Sequence, residues 1–207
     1  MSEARIVRTD SPGWLADAVA VLQRGGLVAF PTDTVYGVGA VAFDPTAVAR
    51  IYRAKGRREE NPIPVLVAGE EAIDQLSLHP PAGARRLAHA FWPGPLTLVV
   101  PKAPGLPAEV SPGPSVGLRA PDHPVAMELL RAIGPLATSS ANPSGKPPAT
   151  RAQDVRAFLG GTIDLVIDGG EAPGGTPSTV LDCTCDPPQV LRPGPVSLEE
   201  ILAVWAG

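Results

Sequence analysis

Apolar residues recur along the chain in short runs with strand character, at 27–30, 63–67, 96–100, 116–118, 135–138, 165–167, 179–181 and 190–191. Between several of these runs the apolar positions fall at helical spacing instead. Residues 12–22 carry such a pattern and stop at Gly25-Gly26. Asp44-Pro45 reads as an N-cap with proline at the first helical position, opening a helix through Ala54. Further helices are expected over 81–91, ended by Trp92-Pro93-Gly94-Pro95, and over 124–133, stopped by Gly134. Thr150 is expected to cap a helix ending at Gly160-Gly161, and Ser197-x-x-Glu200 is a capping box before 201–205. Strands alternating with helices predict an α/β fold, one twisted sheet with flanking helices. Runs 96–100 and 116–118 follow one another without a helix between them, so the sheet should mix parallel and antiparallel pairs. No repeat is visible. The Pro-rich stretch 101–114 separates two runs of one sheet and reads as a long loop inside a single domain over 8–205.

Composition first complicates this picture. The 207 residues include 22 glycines and 26 prolines, about twice the usual ~12% for the two together. Such a level fits either a low-complexity chain or a folded protein with many shaped loops. The glycines and prolines are spread between patterned segments, and 44% of residues are hydrophobic, which favours the folded protein. The net charge of −4 argues against a general nucleic-acid coat, while leaving room for a local basic pocket. Cys183 and Cys185 are too close together to staple loops, and no second pair completes a zinc set. Residues 1–10 carry charges and no apolar stretch, and no run approaches the ~18 residues of a membrane span. A cytoplasmic protein without a membrane partner is expected.

Several common chemistries are missing. There is no phosphate-binding P-loop, no H-E-x-x-H and no G-x-S-x-G. Gly37-x-Gly39 lacks the third glycine of a dinucleotide fingerprint, and His79, His89 and His123 have no ligand spacing. The informative segments are those where an apolar run meets small, polar sequence, because ligands bind at strand ends in α/β sheets. Thr32, Asp33 and Thr34 follow the run 27–30 and read equally as a ligand site or as a hydroxyl-capped turn. Lys55, Arg57 and Arg58 close a helix, where cations suit the helix dipole as well as an anion. Arg119 ends an apolar run; its burial calls for a partner, either a bound carboxylate or an internal acid. Residues 138–146 place hydroxyls, an amide and Lys146 after another run, with small side chains that let a ligand approach the backbone. Hydroxyls plus cations suit positioning and charge neutralisation, as in nucleotidyl or phosphoryl transfer.

The ordered set of motifs resembles the YrdC/Sua5 family. It comprises Gly-Gly-Leu-Val-Ala-Phe-Pro-Thr-Asp-Thr-Val-Tyr-Gly at 25–37, Lys-Gly-Arg at 55–57 and Trp-Pro-Gly-Pro-Leu-Thr at 92–97. Gly-Leu-Arg-x-Pro follows at 117–121, Ser-x-Asn-x-Ser-Gly at 140–145, Ser-Thr-Val at 178–180 and Leu-Arg-Pro-Gly at 191–194. The resemblance implies a YrdC-like twisted sheet around a basic cavity, here in the short, single-domain form. It implies a threonylcarbamoyl-AMP synthase, a nucleotidyltransferase that joins L-threonine, bicarbonate or CO2, and ATP, releasing pyrophosphate. The product would pass to transferase proteins that make the t6A modification of tRNA. Carried onto this chain, Thr34, Thr32, Tyr36, Arg119, Thr138 and Ser178 would contact threonine. Lys55, Arg57, Asn61, Ser115, Ser140, Asn142 and Arg192 would face ATP, with Lys55 and Arg57 as the catalytic pair. Mg2+ would arrive with ATP. Asp33 stands where many relatives have Glu, and Leu66 where longer relatives often have His. The family also suggests an alternative, an RNA- or ribosome-binding module without synthase activity.

Overall fold

The computed structural model describes residues 3–173 and 176–206. Its strands are β1 (Arg5–Arg8), β2 (Val28–Phe30), β3 (Gly37–Val41), β4 (Val65–Leu66), β5 (Leu96–Pro101), β6 (Ser115–Arg119), β7 (Leu136–Ser140), β8 (Leu165–Asp168), β9 (Thr179–Asp182) and β10 (Gln189–Arg192). The helices are α1 (Trp14–Gln23), α2 (Pro45–Lys55), α3 (Ala72–Leu76), α4 (Ala82–Phe91), α5 (Pro124–Ile133), α6 (Ala152–Leu159) and α7 (Leu198–Trp205). The strands form one sheet in the order β1-β8-β2-β3-β7-β4-β6-β5-β9-β10. Pairs such as β1–β8 and β4–β6 are parallel, while β3–β7 and β5–β6 are antiparallel. The expected mixed sheet is therefore present.

Local chemistry sets the helix ends. The Asp44 carboxylate accepts from the Ala47 amide at 3.0 Å, Pro45 opens α2, and Gly56 closes it at φ +57°. Ser197 and Glu200 form the expected capping box of α7. Thr150, in contrast, is not a cap: Arg151 holds that position without a side-chain bond, and α6 begins at Ala152.

Three elements were absent from the sequence expectation: β1, α3 and β3. β1 sets only two apolar residues between arginines in a charged segment, and α3 has five residues, too few for helical periodicity. β3 reads Gly-Val-Gly-Ala-Val, and its glycines hide it, since glycine is poor in strands. Space demands them. A Cβ on Gly37 would lie 2.7 Å from Thr138 Cγ2, and one on Gly39 3.0 Å from Phe30 Cε1. Gly37→Ala is expected to cost about 1–3 kcal/mol by overpacking and to displace Thr138. Urea unfolding measures it, and an unchanged midpoint would contradict this packing.

Strand alternation then decides which residues reach which face. Val28 and Phe30 belong to one apolar cluster and Ala29 to the other, so the two clusters lie on opposite faces of the sheet. Helices α2, α4, α6 and α7 bury the larger cluster; α1 and α5 bury the smaller one. On the face carrying α1 and α5, the neighbouring positions are polar or small: Gly37, Gly39, Thr97, Gly117, Arg119 and Thr138. The Pro-rich stretch between β5 and β6 is a packed loop: Leu106 and Val110 are buried, and Ile63 donates to the Val110 carbonyl at 2.9 Å.

Candidate active site

A cavity of about 350 Å3 lies on that polar part of the sheet. The turn after β2, the ends of β4, β6 and β7, the residue before β9, the end of β10 and the segment after α2 all reach it. Thr32, Thr34, Arg57, Arg119, Thr138, Ser140, Asn142, Ser178 and Arg192 line it together. Leu66 and Lys146 line it too, as does Thr97, to which the sequence reading gave no role in a site.

The turn 32–35 is built by its own hydroxyl. Thr32 Oγ1 donates to the Val35 carbonyl at 2.7 Å and accepts from the amides of Thr34 and Val35. The segment is a hydroxyl-capped turn, and it also lines the cavity. Arg119 is buried, and its guanidinium donates to the Gly94 carbonyl at 3.0 Å, to Thr34 Oγ1 at 3.2 Å and to Asp33 Oδ1. The internal acid that the sequence left as an alternative is Asp33. Burial disfavours the charge on Arg119, and Asp33 opposes that shift.

Beside Arg119, on the paired strand β5, Thr97 Oγ1 lies 2.9 Å from Ser178 Oγ. Arg192 donates to the Ser178 carbonyl at 2.9 Å and to Ser178 Oγ at 3.1 Å. Arg57 grips its own loop, reaching the carbonyls of Asn61 and Pro62 at 3.2 and 3.0 Å. Each guanidinium keeps unused N–H groups, because five donors are available. The pKa of Arg192 is pushed down by burial and then by Arg119 and Arg57. Arg57, Arg119, Arg192 and Lys146 thus share one cavity whose lining contains no carboxylate. That is a local positive field in a chain of net charge −4.

Asn142 shows what the cavity lacks. Its Nδ2 donates to the carbonyls of Pro143 and Lys146 at 2.9 and 2.7 Å, closing the loop on itself. Its Oδ1 is buried and has no partner among the described residues. A buried acceptor left unmade is costly, so this atom calls for a donor on a ligand.

Four expected site residues lie elsewhere, and each has a physical reason. Tyr36 is fully buried in the larger core and donates its hydroxyl to the Gly170 carbonyl at 2.6 Å, while its neighbour Val35 lines the cavity. Asn61 is exposed and offers its backbone carbonyl to Arg57 and to Tyr52. Ser115 opens β6, four residues before Arg119, outside the lining. Lys55 lies beneath the cavity, 3% exposed, and donates to the carbonyls of Ser140 and, at 2.6 Å, Asn142. Ser144 N returns a bond to the Lys55 carbonyl at 2.9 Å. Lys55 therefore clasps the loop after β7 from both ends, rather than presenting its ammonium to the cavity as the sequence suggested. Burial, then Arg57, pushes its pKa down to about 8.

Among the described residues, no group of three or more His, Cys, Asp or Glu side chains could hold a metal ion. No helix there is long and apolar enough to cross a membrane.

A family model for Sua5/YciO/YrdC, described as telomere recombination, matches residues 20–194. A Mycobacterium tuberculosis relative is 48% identical over 191 residues, 92% of this chain and 88% of that protein. The threonylcarbamoyl-AMP synthase of Bacillus subtilis is 46% identical over 193 residues, 92% of this chain and 56% of that protein. The crystal structure of Pyrococcus abyssi Sua5 complexed with L-threonine superposes with a TM-score of 0.91 at 45% identity, covering 96% of this chain and 59% of that one. The chain thus spans somewhat over half the length of these last two proteins.

Proposed function

The chain belongs to the Sua5/YciO/YrdC family, and from that premise we propose that it is a threonylcarbamoyl-AMP synthase. The observation that carries this reading is the charge of the cavity: four cations and no carboxylate in the lining. Such a cavity suits a polyanion such as a nucleoside triphosphate. The substrates are L-threonine, bicarbonate and ATP, with Mg2+ entering as part of the ATP substrate.

In this mechanism the threonine carboxylate meets Arg119 beside Thr34, near the Thr97–Ser178 hydroxyl pair. The amino group, once it has given its ammonium proton to solvent, attacks the bicarbonate carbon, and water leaves to give the carbamate. A carbamate oxygen then attacks the α-phosphorus, and pyrophosphate leaves. Arg57, Arg192 and Lys146 neutralise charge on the phosphates, and the free Asn142 Oδ1 accepts from the nucleoside. Removing one preorganised cation should cost about 3 kcal/mol of barrier, near 100-fold in rate. The mixed anhydride product is labile, which calls for direct transfer to the proteins that modify tRNA in the cytoplasm.

Purified protein given ATP, threonine and bicarbonate should release pyrophosphate, and omitting threonine should abolish the release. Release that ignores threonine would sink the proposal. The family's alternative, an RNA-binding module, predicts no turnover and an RNA affinity that falls steeply with salt.

A further inference from the structure

A second cavity, of about 530 Å3, adjoins the first and shares Thr34 with it. Its lining includes two carboxylates, Asp33 and Asp122, and no cation. The first cavity has cations and no carboxylate. The charges are therefore sorted into two chambers, and the ion pair Arg119–Asp33 sits at their boundary, with side chains only 8% and 12% exposed.

Both members of the pair have capacity left. Arg119 uses one N–H of Nε and one on each terminal nitrogen, leaving one free hydrogen on each of those two nitrogens. Asp33 engages Arg119 through Oδ1, and its Oδ2 makes no hydrogen bond among the described residues. A carboxylate held against Arg119 competes with any substrate carboxylate. It helps binding only when the ligand also carries a positive charge for Asp33 to hold.

We infer that the Arg119–Asp33 pair is a receptor for a zwitterion: the free Arg119 N–H groups take the α-carboxylate of an amino acid, and Asp33 Oδ2 takes its α-ammonium. The inference rests on the proposed reading that threonine is the substrate. It adds a residue with a stated contact and a consequence for the order of events. The ammonium first gives one proton to solvent; the free amine then attacks the bicarbonate carbon and water leaves, giving an anionic carbamate. Asp33 then repels the group it had held, and the cations of the first cavity attract it, moving the carbamate towards the phosphates.

The test compares two ligands that differ only at the nitrogen. Calorimetry on the intact protein measures L-threonine against the 2,3-dihydroxybutanoate of matching configuration, in which a hydroxyl replaces the ammonium. Wild type is expected to bind threonine at least tenfold more tightly. Asp33→Asn should shrink that preference to within twofold, and Asp33→Glu should keep it. Equal affinities in wild type would overturn the inference, as would an Asp33→Asn variant that weakens both ligands by one factor, since Asp33 would then only orient Arg119. If Asp33→Asn does not fold, the wild-type comparison decides alone. Threonine-dependent turnover with no ligand preference sinks the inference and spares the functional reading; a protein that binds neither ligand sinks both.

Discussion

Replacing Arg119 by glutamine is expected to lower kcat/KM for threonine about a thousandfold and to destabilise the fold by about 3–5 kcal/mol. Both effects have one origin. Arg119 is 6% exposed and faces Asp33, so its removal leaves a nearly buried carboxylate without its counter-charge. It also strips donors from the Gly94 carbonyl and Thr34 Oγ1. On the ligand side, the substrate carboxylate loses its only buried cation in the cavity lining. The two effects separate in a double-mutant cycle. Asp33→Asn added to Arg119→Gln should recover part of the stability, because no orphaned charge remains, and none of the catalysis. Denaturant unfolding and steady-state kinetics check the two halves. A single variant that unfolds at the wild-type midpoint would contradict the buried pair.

Lys55→Met should affect activity alone: lower kcat about 100-fold and leave stability nearly unchanged. The clasp positions the loop that carries Ser140, Asn142 and Lys146 into the cavity, and a shift of about 1 Å in such a loop is worth a hundredfold in rate. Stability changes little because two terms oppose each other. Burial lowers the Lys55 pKa from 10.5 to about 8, so holding the ammonium in the folded state at pH 7 costs about 3 kcal/mol. Methionine removes that cost and strands two carbonyls, at about 1–3 kcal/mol each. The sign in pH follows. Between about 8 and 10.5 the unfolded chain binds the proton that the folded chain has lost, so wild-type stability rises with pH in that window. The methionine variant should lack that rise. Unfolding midpoints measured from pH 7 to 10 show whether the rise is present and whether the variant has lost it.

Both residues mark how far the sequence could be read. The apolar runs located eight of the strands because burial leaves its mark on residue type. β3 stayed hidden because its alternate positions are glycines, and those glycines make room for Thr138 and Phe30, far away in the chain. The motifs brought Thr34, Arg119, Thr138, Ser178 and Arg192 to one cavity, since strand ends converge in this class of sheet. Direction was illegible. Nothing in Val35-Tyr36 says which side chain turns to the cavity and which to the core, and an irregular turn decides it. Nor does Lys-Gly-Arg say that its lysine bends under the loop at 140–142, 85 residues on, instead of reaching solvent. Asp33 lay in plain view inside a motif. Only its pairing with Arg119, and the sorting of charge into two chambers, gives it a role.

If one cavity joins a carboxylated threonine to AMP, the carbon of bicarbonate must end up in the product. Protein incubated with ATP, L-threonine and 13C-bicarbonate should yield an AMP adduct carrying threonine and one 13C atom, in step with pyrophosphate release. AMP or ADP forming without a 13C-labelled threonyl adduct would contradict the account.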